Sequence, residues 1–322
     1  MNPRCILLAA WLLAFALPAS AQAPARIAYI MPGGVAGSAD RLAAFKQGMR
    51  ENGMVEGTHY VLDEHYAQGR YERFKALTDE AIKNRPALIV VNTIASVRAA
   101  QQATKTIPIV FVSTNDPVGS GLVASLARPG GNTTGLSSQN EDLVTKYVEL
   151  LHETLPHAKR VAVLSNPGNP SNAKMFEQVR VSAGTLGIAA RLFEAGSPEI
   201  LDTVFAAVVQ HRADALLILP DATFFDQKER ISTFALWSRI PAFAPGSEFL
   251  SSGSLIAFGT LRRELWRRSA TYVKKILGGT KPADLPVEQP TRFELAVNLK
   301  AAKQLNITIP YSVMVRAEVV IQ

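Results

Sequence analysis

Short apolar runs that stop abruptly in polar or turn-forming residues recur along this chain. The clearest is Ile107-Pro108-Ile109-Val110-Phe111-Val112, which gives way at once to Ser113-Thr114-Asn115-Asp116-Pro117. An unbroken run rich in β-branched residues predicts a strand buried in a parallel sheet, with a hydrophilic carboxyl end. In open α/β sheets ligands sit beyond the carboxyl ends of strands, so Ser113, Thr114 and Asp116 point toward the functional region. The same residues would also make a solvated strand-to-helix turn with an Asx cap.

The pattern occurs twice. Arg26-Ile27-Ala28-Tyr29-Ile30 is echoed by Arg160-Val161-Ala162-Val163-Leu164, Ala87-Leu88-Ile89-Val90-Val91 by Ala215-Leu216-Leu217-Ile218-Leu219, and Ile107-Pro108 by Ile240-Pro241. A stretch long enough for a crossover helix follows each strand, so each half reads as a βαβ-type lobe, with a cleft between the two. A repeat of this length indicates a duplicated domain rather than a solenoid.

In the first half the pattern predicts strands at 26–31, 58–66, 87–92, 107–112 and 133–138. Helices are predicted at 40–52 (Leu42, Phe45 and Met49 inward), at 71–84, after Asn92-Thr93, and briefly through Leu122 and Leu126. The second half predicts helices at 141–155, at 198–211 and through Phe176, Val179 and Ala183, with strands at 160–165, 189–194, 214–219 and 240–243. Segments 133–138, 255–259 and 289–298 are candidate crossings between lobes, and Ser137 falls in the first. The expected lobes are 22–138 plus about 259–285, and 139–258 plus about 286–322. The Gly-rich turn Pro32-Gly33-Gly34-Val35-Ala36-Gly37 is neither a G-x-G-x-x-G nor a phosphate loop, and reads as a place where a small ligand approaches the backbone.

Composition changes this picture in two places. Residues 1–21 carry one early charge, Arg4, then an apolar run from Ile6 to Leu17, then Ala19-Ser20-Ala21, the pattern of a cleavable secretory signal peptide. Cleavage after Ala21 would remove Cys5, the only cysteine, and would lower the formal charge from +7 to +6. The mature chain would then have no disulfide, thiolate metal site or cysteine nucleophile. The basic cluster Arg262-Arg263 with Arg267-Arg268 reads as the solvated face of helix 262–277, and no aromatic-basic platform for nucleic acid accompanies it.

Three strand ends carry candidate chemistry. Thr93 and Ser96 open a helix whose unsatisfied N–H groups suit a carboxylate, although Thr93 would equally cap it. Asn166 ends strand 160–165. Asp221 ends strand 214–219 and is either an acceptor for a ligand ammonium or another helix cap; Phe224 and Phe225 beside it could form an apolar wall. The chain has no G-x-S-x-G elbow, no H-E-x-x-H and no paired context for its five histidines, so catalysis, a metal and a cofactor are not expected.

The runs Phe45-Lys46-Gln47-Gly48-Met49, Gly121-Leu122-Val123-Ala124-Ser125-Leu126-Ala127-Arg128-Pro129-Gly130-Gly131-Asn132-Thr133-Thr134-Gly135 and Lys281-Pro282-Ala283-Asp284-Leu285-Pro286-Val287-Glu288-Gln289-Pro290-Thr291-Arg292-Phe293-Glu294-Leu295 resemble the tryptophan/tyrosine-type substrate-binding proteins of ABC transporters. The resemblance covers nearly all the chain after residue 25. It implies a type I periplasmic-binding-protein fold, with two Rossmann-like lobes of parallel sheet joined by three hinge crossings and closing on a small molecule. It implies a carboxylate near Thr93, Ser96, Ser113 and Thr114, an ammonium at Asp221, and further polar contacts from Asn166 and Ser137. The expected function is delivery of an amino acid, aromatic or branched, or a related carboxylate to an inner-membrane ABC permease, by a monomer in the periplasm. A ligand sensor acting through a receptor is the alternative, and a two-lobe α/β enzyme the more distant one.

Overall fold

The computed structural model describes residues 23–322; the signal peptide expected at 1–21 lies outside the described residues. The chain opens with β1 (Ala25–Met31), α1 (Val35–Glu51), β2 (Tyr60–Tyr66), α2 (Phe74–Lys83), β3 (Leu88–Val91), α3 (Ile94–Ala103), β4 (Ile109–Thr114) and β5 (Thr133–Ser137). It continues with α4 (Val144–Thr154), β6 (Arg160–Ser165), α5 (Pro170–Thr185), β7 (Ala189–Glu194), α6 (Leu201–Gln210), β8 (Ala215–Ile218), α7 (Ala222–Asp226) and α8 (Lys228–Trp237). Then come β9 (Ala242–Ala244), β10 (Ile256–Thr260), α9 (Arg262–Leu277), β11 (Phe293–Asn298), α10 (Leu299–Leu305), α11 (Tyr311–Met314) and β12 (Val319–Ile321).

Two sheets result. The first is parallel throughout, in the order β2-β1-β3-β4-β5; the second runs β12-β11-β10-β9-β8-β6-β7, with only β10 and β11 antiparallel. Its run β7-β6-β8-β9-β10 repeats the order of the first sheet, so the echo in the sequence is an echo in topology. Strands such as β3 and β8 are buried at every position because helices cover both faces, which is why they read as unbroken apolar runs. In the first lobe one face packs against α1 and α9 around Phe45, Tyr29 and Trp266, and the other against α2 and α3 around Phe74, Val97 and Phe111.

The chain passes between the sheets three times: from β5 to α4, from β10 to α9, and from a 3₁₀ turn at Pro282–Asp284 to β11. The first and third crossings are zipped together, because Ser137 N–H donates to the Glu288 carbonyl (2.8 Å) and Glu288 N–H to that of Gly135 (3.1 Å). From α9, Arg268 grips the Glu288 carboxylate with two bonds of 2.9 Å. The helix expected through Leu122 and Leu126 does not form. Pro117, Gly119 and Gly121, the last at φ +69°, break the backbone there into successive turns, while Leu122 and Val123 still anchor the segment in the core.

Helix α9 lies directly on α1, where Gly48 provides the clearance: a Cβ there would stand 2.0 Å from the Arg267 carbonyl oxygen. Backbone cannot retreat as a flexible side chain does, so Gly48→Ala should destabilise the protein by about 1–3 kcal/mol. Urea unfolding checks this, and an unchanged midpoint would mean that the two helices are not in this contact.

Candidate functional site

The carboxyl ends of both sheets face each other and enclose a small cavity of about 40 Å³. The first lobe contributes Asn92, Thr93 and Ile94 after β3, and Ser113, Thr114 and Asn115 at the end of β4. From the second lobe come Asn169 and Ser171 at the start of α5, and Asp221, Ala222 and Phe225 at α7; Asn140 and Arg262 enter from the crossings.

Local backbone rules place these groups. At the end of β4 the register with β5 slips, Val112 pairing with Leu136 but Thr114 with Ser137, so Ser113 is a bulged residue at φ +57°. Such bulges re-aim side chains, and a left-handed Ser costs roughly 1 kcal/mol. Thr93 caps α3 and forms a capping box with Ser96, the Thr93 hydroxyl accepting from Ser96 N–H (3.1 Å) and the Ser96 hydroxyl from Thr93 N–H (3.0 Å). Asn169 caps α5 and Asp221 caps α7, so three helix N-termini from two lobes meet at one cavity.

Asp221 is 3 % exposed. Its Oδ1 accepts from Asn166 Nδ2 (3.0 Å) and Thr223 N–H (2.9 Å), and its Oδ2 from Asn169 Nδ2 (3.0 Å) and the Tyr71 hydroxyl (2.8 Å), the last reaching over from the other lobe. Burial, with the Asp221 carboxylate adjacent, pushes the Tyr71 hydroxyl well above its ordinary pKa and keeps it a donor. All four donors are neutral, so among the described residues this carboxylate has no cation within ion-pair distance.

The residue that the sequence reading missed is Arg262. It was expected on a solvated helix face, yet it is 8 % exposed, lines the cavity, and lays its guanidinium 3.5 Å above the Phe225 ring. Burial first, then neighbouring Arg41, pushes its pKa down to about 10, so it remains charged at neutral pH. One signal was available: a cation in the first turn of a helix opposes the macrodipole, and such a local violation points to a role.

Of the other expected residues, Thr93, Ser113, Thr114 and Asp221 line the cavity, whereas Ser96, Asp116, Ser137 and Asn166 do not. Ser96 is sealed inside its capping box. Asp116 binds Gly119 N–H (2.9 Å) and Lys174 of the other lobe (3.2 Å) at the rim. Ser137 is buried within β5, and Asn166 acts one step back by holding Asp221. Phe224 is core, and Phe225 is the aromatic ring in the lining.

The lobes also meet outside the cavity. Arg41 on α1 donates to Asp226 at the end of α7 (2.7 Å), both side chains 7 % exposed. Burial raises the Asp226 pKa, with Arg41 opposing. The Gly-rich turn is what Asp226 presses against: a Cβ on Gly33 would lie 1.3 Å from its Oδ2, and one on Gly37 2.7 Å from its carboxyl carbon. These glycines therefore admit the opposite lobe, where the sequence suggested a ligand. Asn115 to Ser171 (3.1 Å) and Arg70 to Glu199 (2.8 Å) add further bridges, so the lobes stand closed.

Two doubly wound lobes closed over a polar cavity define a hinged binding protein. The chain belongs to the ABC transporter substrate binding protein family, whose model matches residues 37–321. It is 26 % identical over 266 residues to a tyrosine-binding protein of Clostridioides difficile, covering 82 % of this chain and 75 % of that one. Among solved structures, a conserved domain protein of Vibrio cholerae aligns with a TM-score of 0.84 at 30 % identity, over 92 % of this chain and 99 % of the other. A domain from Streptococcus pneumoniae in complex with L-Trp aligns with a TM-score of 0.82 at 23 % identity, over 92 % and 100 %.

Gly33→Ala should prop the lobes apart, enlarging the radius of gyration in small-angle scattering, whereas Gly34→Ala, whose Cβ meets nothing within 4 Å, should not. Equal curves for both variants and the parent would show that closure does not need this contact. Ser113→Gly should leave the melting temperature nearly unchanged, because the roughly 1 kcal/mol of relieved strain is offset by about 0.5–1 kcal/mol of added backbone entropy in the unfolded chain. A lower melting temperature would mean that the serine side chain contributes more than its backbone costs.

Proposed function

We propose that the protein closes its lobes around a small molecule, an amino acid or a related carboxylate, in the periplasm and hands it to an ABC permease in the inner membrane. The observation that carries this reading is the cavity itself, built from strand ends and helix N-termini of both lobes, so that a ligand bound there stabilises the closed arrangement over the open one. Thr93, Ser113 and Thr114 are its contacts in the first lobe. Asp221, whose four hydrogen-bond donors are all neutral, supplies the negative charge that attracts an ammonium in the second. Two relatives, one a tyrosine-binding protein and one solved in complex with L-Trp, support the amino-acid class. No helix among the described residues is long and apolar enough to cross a membrane, and the leader pattern at 1–21 accounts for export.

A thermal-shift screen of protein freed of bound small molecules by unfolding and refolding tests this reading. A ligand at a hundred times its dissociation constant adds about 2.7 kcal/mol. Amino acids should raise the melting temperature. Asp221→Asn should then weaken binding by roughly 10- to 100-fold, since a hydrogen bond to a charged group is worth about 1.5–3 kcal/mol. Shifts with sugars or nucleosides alone would overturn the amino-acid assignment, and undiminished affinity in Asp221→Asn would remove that residue's role.

A further inference from the structure

Hydrogen-bonding capacity left over in the cavity is specific in kind. Among the described residues Arg262 makes no hydrogen bond and no ion pair, although it is more than nine-tenths buried. Two further atoms of the lining, Asn92 Oδ1 and Thr114 Oγ1, are buried without a partner. Buried polar groups are normally satisfied, so the set describes its complement. A guanidinium and a hydroxyl donate to a carboxylate, and an amide oxygen accepts from an ammonium. The Thr93 and Ser96 hydroxyls, by contrast, are already engaged with each other.

Size and shape narrow the ligand further. The cavity is small, with about 40 Å³ open to the centres of water-sized spheres, which favours a compact ligand. Its lining ring, Phe225, has one face covered by Arg262 and packs edge-on to Phe249 at 5.1 Å, leaving little ring surface for an indole or phenol to stack on. The N-termini of α3 and α5 add positive potential at the same place.

We propose that Arg262, shelved on Phe225, is the carboxylate-binding residue of the cleft, and that its ligand is an amino acid with a short side chain rather than an aromatic one. This rests on the binding function proposed above. Glu248, Asp226 and Asp221 act on the Arg262 charge from a distance, but none pairs with it directly, so the ligand carboxylate supplies the direct partner and concentrates selectivity for the acid on one side chain.

The experiment compares the protein with Arg262→Gln, using L-alanine, L-serine and L-threonine, their carboxamides, L-tryptophan, L-tyrosine and D-ribose as probes in calorimetric titrations. The parent should bind one or more of the short amino acids at least tenfold more tightly than the carboxamide and than either aromatic amino acid. Arg262→Gln should lose the preference for acid over amide. Its ligand-free melting temperature should not fall, because the change removes a buried charge; a cation with a purely structural role would lower it. Retained preference for the acid in Arg262→Gln, or tighter binding of L-tryptophan or L-tyrosine, would overturn the proposal and leave the amino-acid reading standing. Binding of D-ribose alone, or of none of the probes, would overturn that reading as well.

Discussion

The ion pair between Arg41 and Asp226 spans the cleft, and the closed arrangement depends on it. In an open molecule both groups would face water; here both are buried at 2.7 Å. Desolvating two charges is costly unless they meet in good geometry, so the contact is favourable only when the lobes come fully together. Gly33 and Gly37 are what permit that approach, since any Cβ there would collide with the Asp226 carboxylate. The turn and the carboxylate form one fitted joint, built from residues far apart in the chain.

Helix α7 ties this joint to the cavity. Its five residues follow the Asp221 cap, which faces the cavity, and end at Asp226 in the joint, with Phe225 beneath Arg262 on the way. A group that contacts Asp221 or Arg262 therefore acts on the same rigid turn that carries the cross-lobe pair. Tyr71 extends the link, donating from the first lobe to the Asp221 carboxylate. The cavity lining and the lobe contacts in this way share one element, as two-state closure requires.

The sequence determined the architecture. Parallel strands buried on both faces must be apolar without interruption, and polar residues must appear where they leave the sheet; this pattern located most strands and the duplication, and four of the eight residues it singled out line the cavity. Two helix caps were legible for the same local reason, since Thr93 and Asp221 each satisfy N–H groups within three positions of themselves. The expected helix at Leu122–Leu126 failed because its apolar spacing was outweighed by the Gly and Pro around it.

Only the tertiary structure decided which polar groups meet. Helical spacing sets Arg262 apart from Arg263, Arg267 and Arg268, on the same face as Leu265, Trp266 and Ser269, but only the tertiary structure shows that this end of the face meets Phe225 of the other lobe and the cavity. Asp226 and Gly33 likewise have no sequence relation; their contact exists because two sheets of the same topology face each other across three crossings. Periodicity reports how each element meets its own core. Contacts across the cleft depend on the placement of two whole lobes, and no local pattern encodes that.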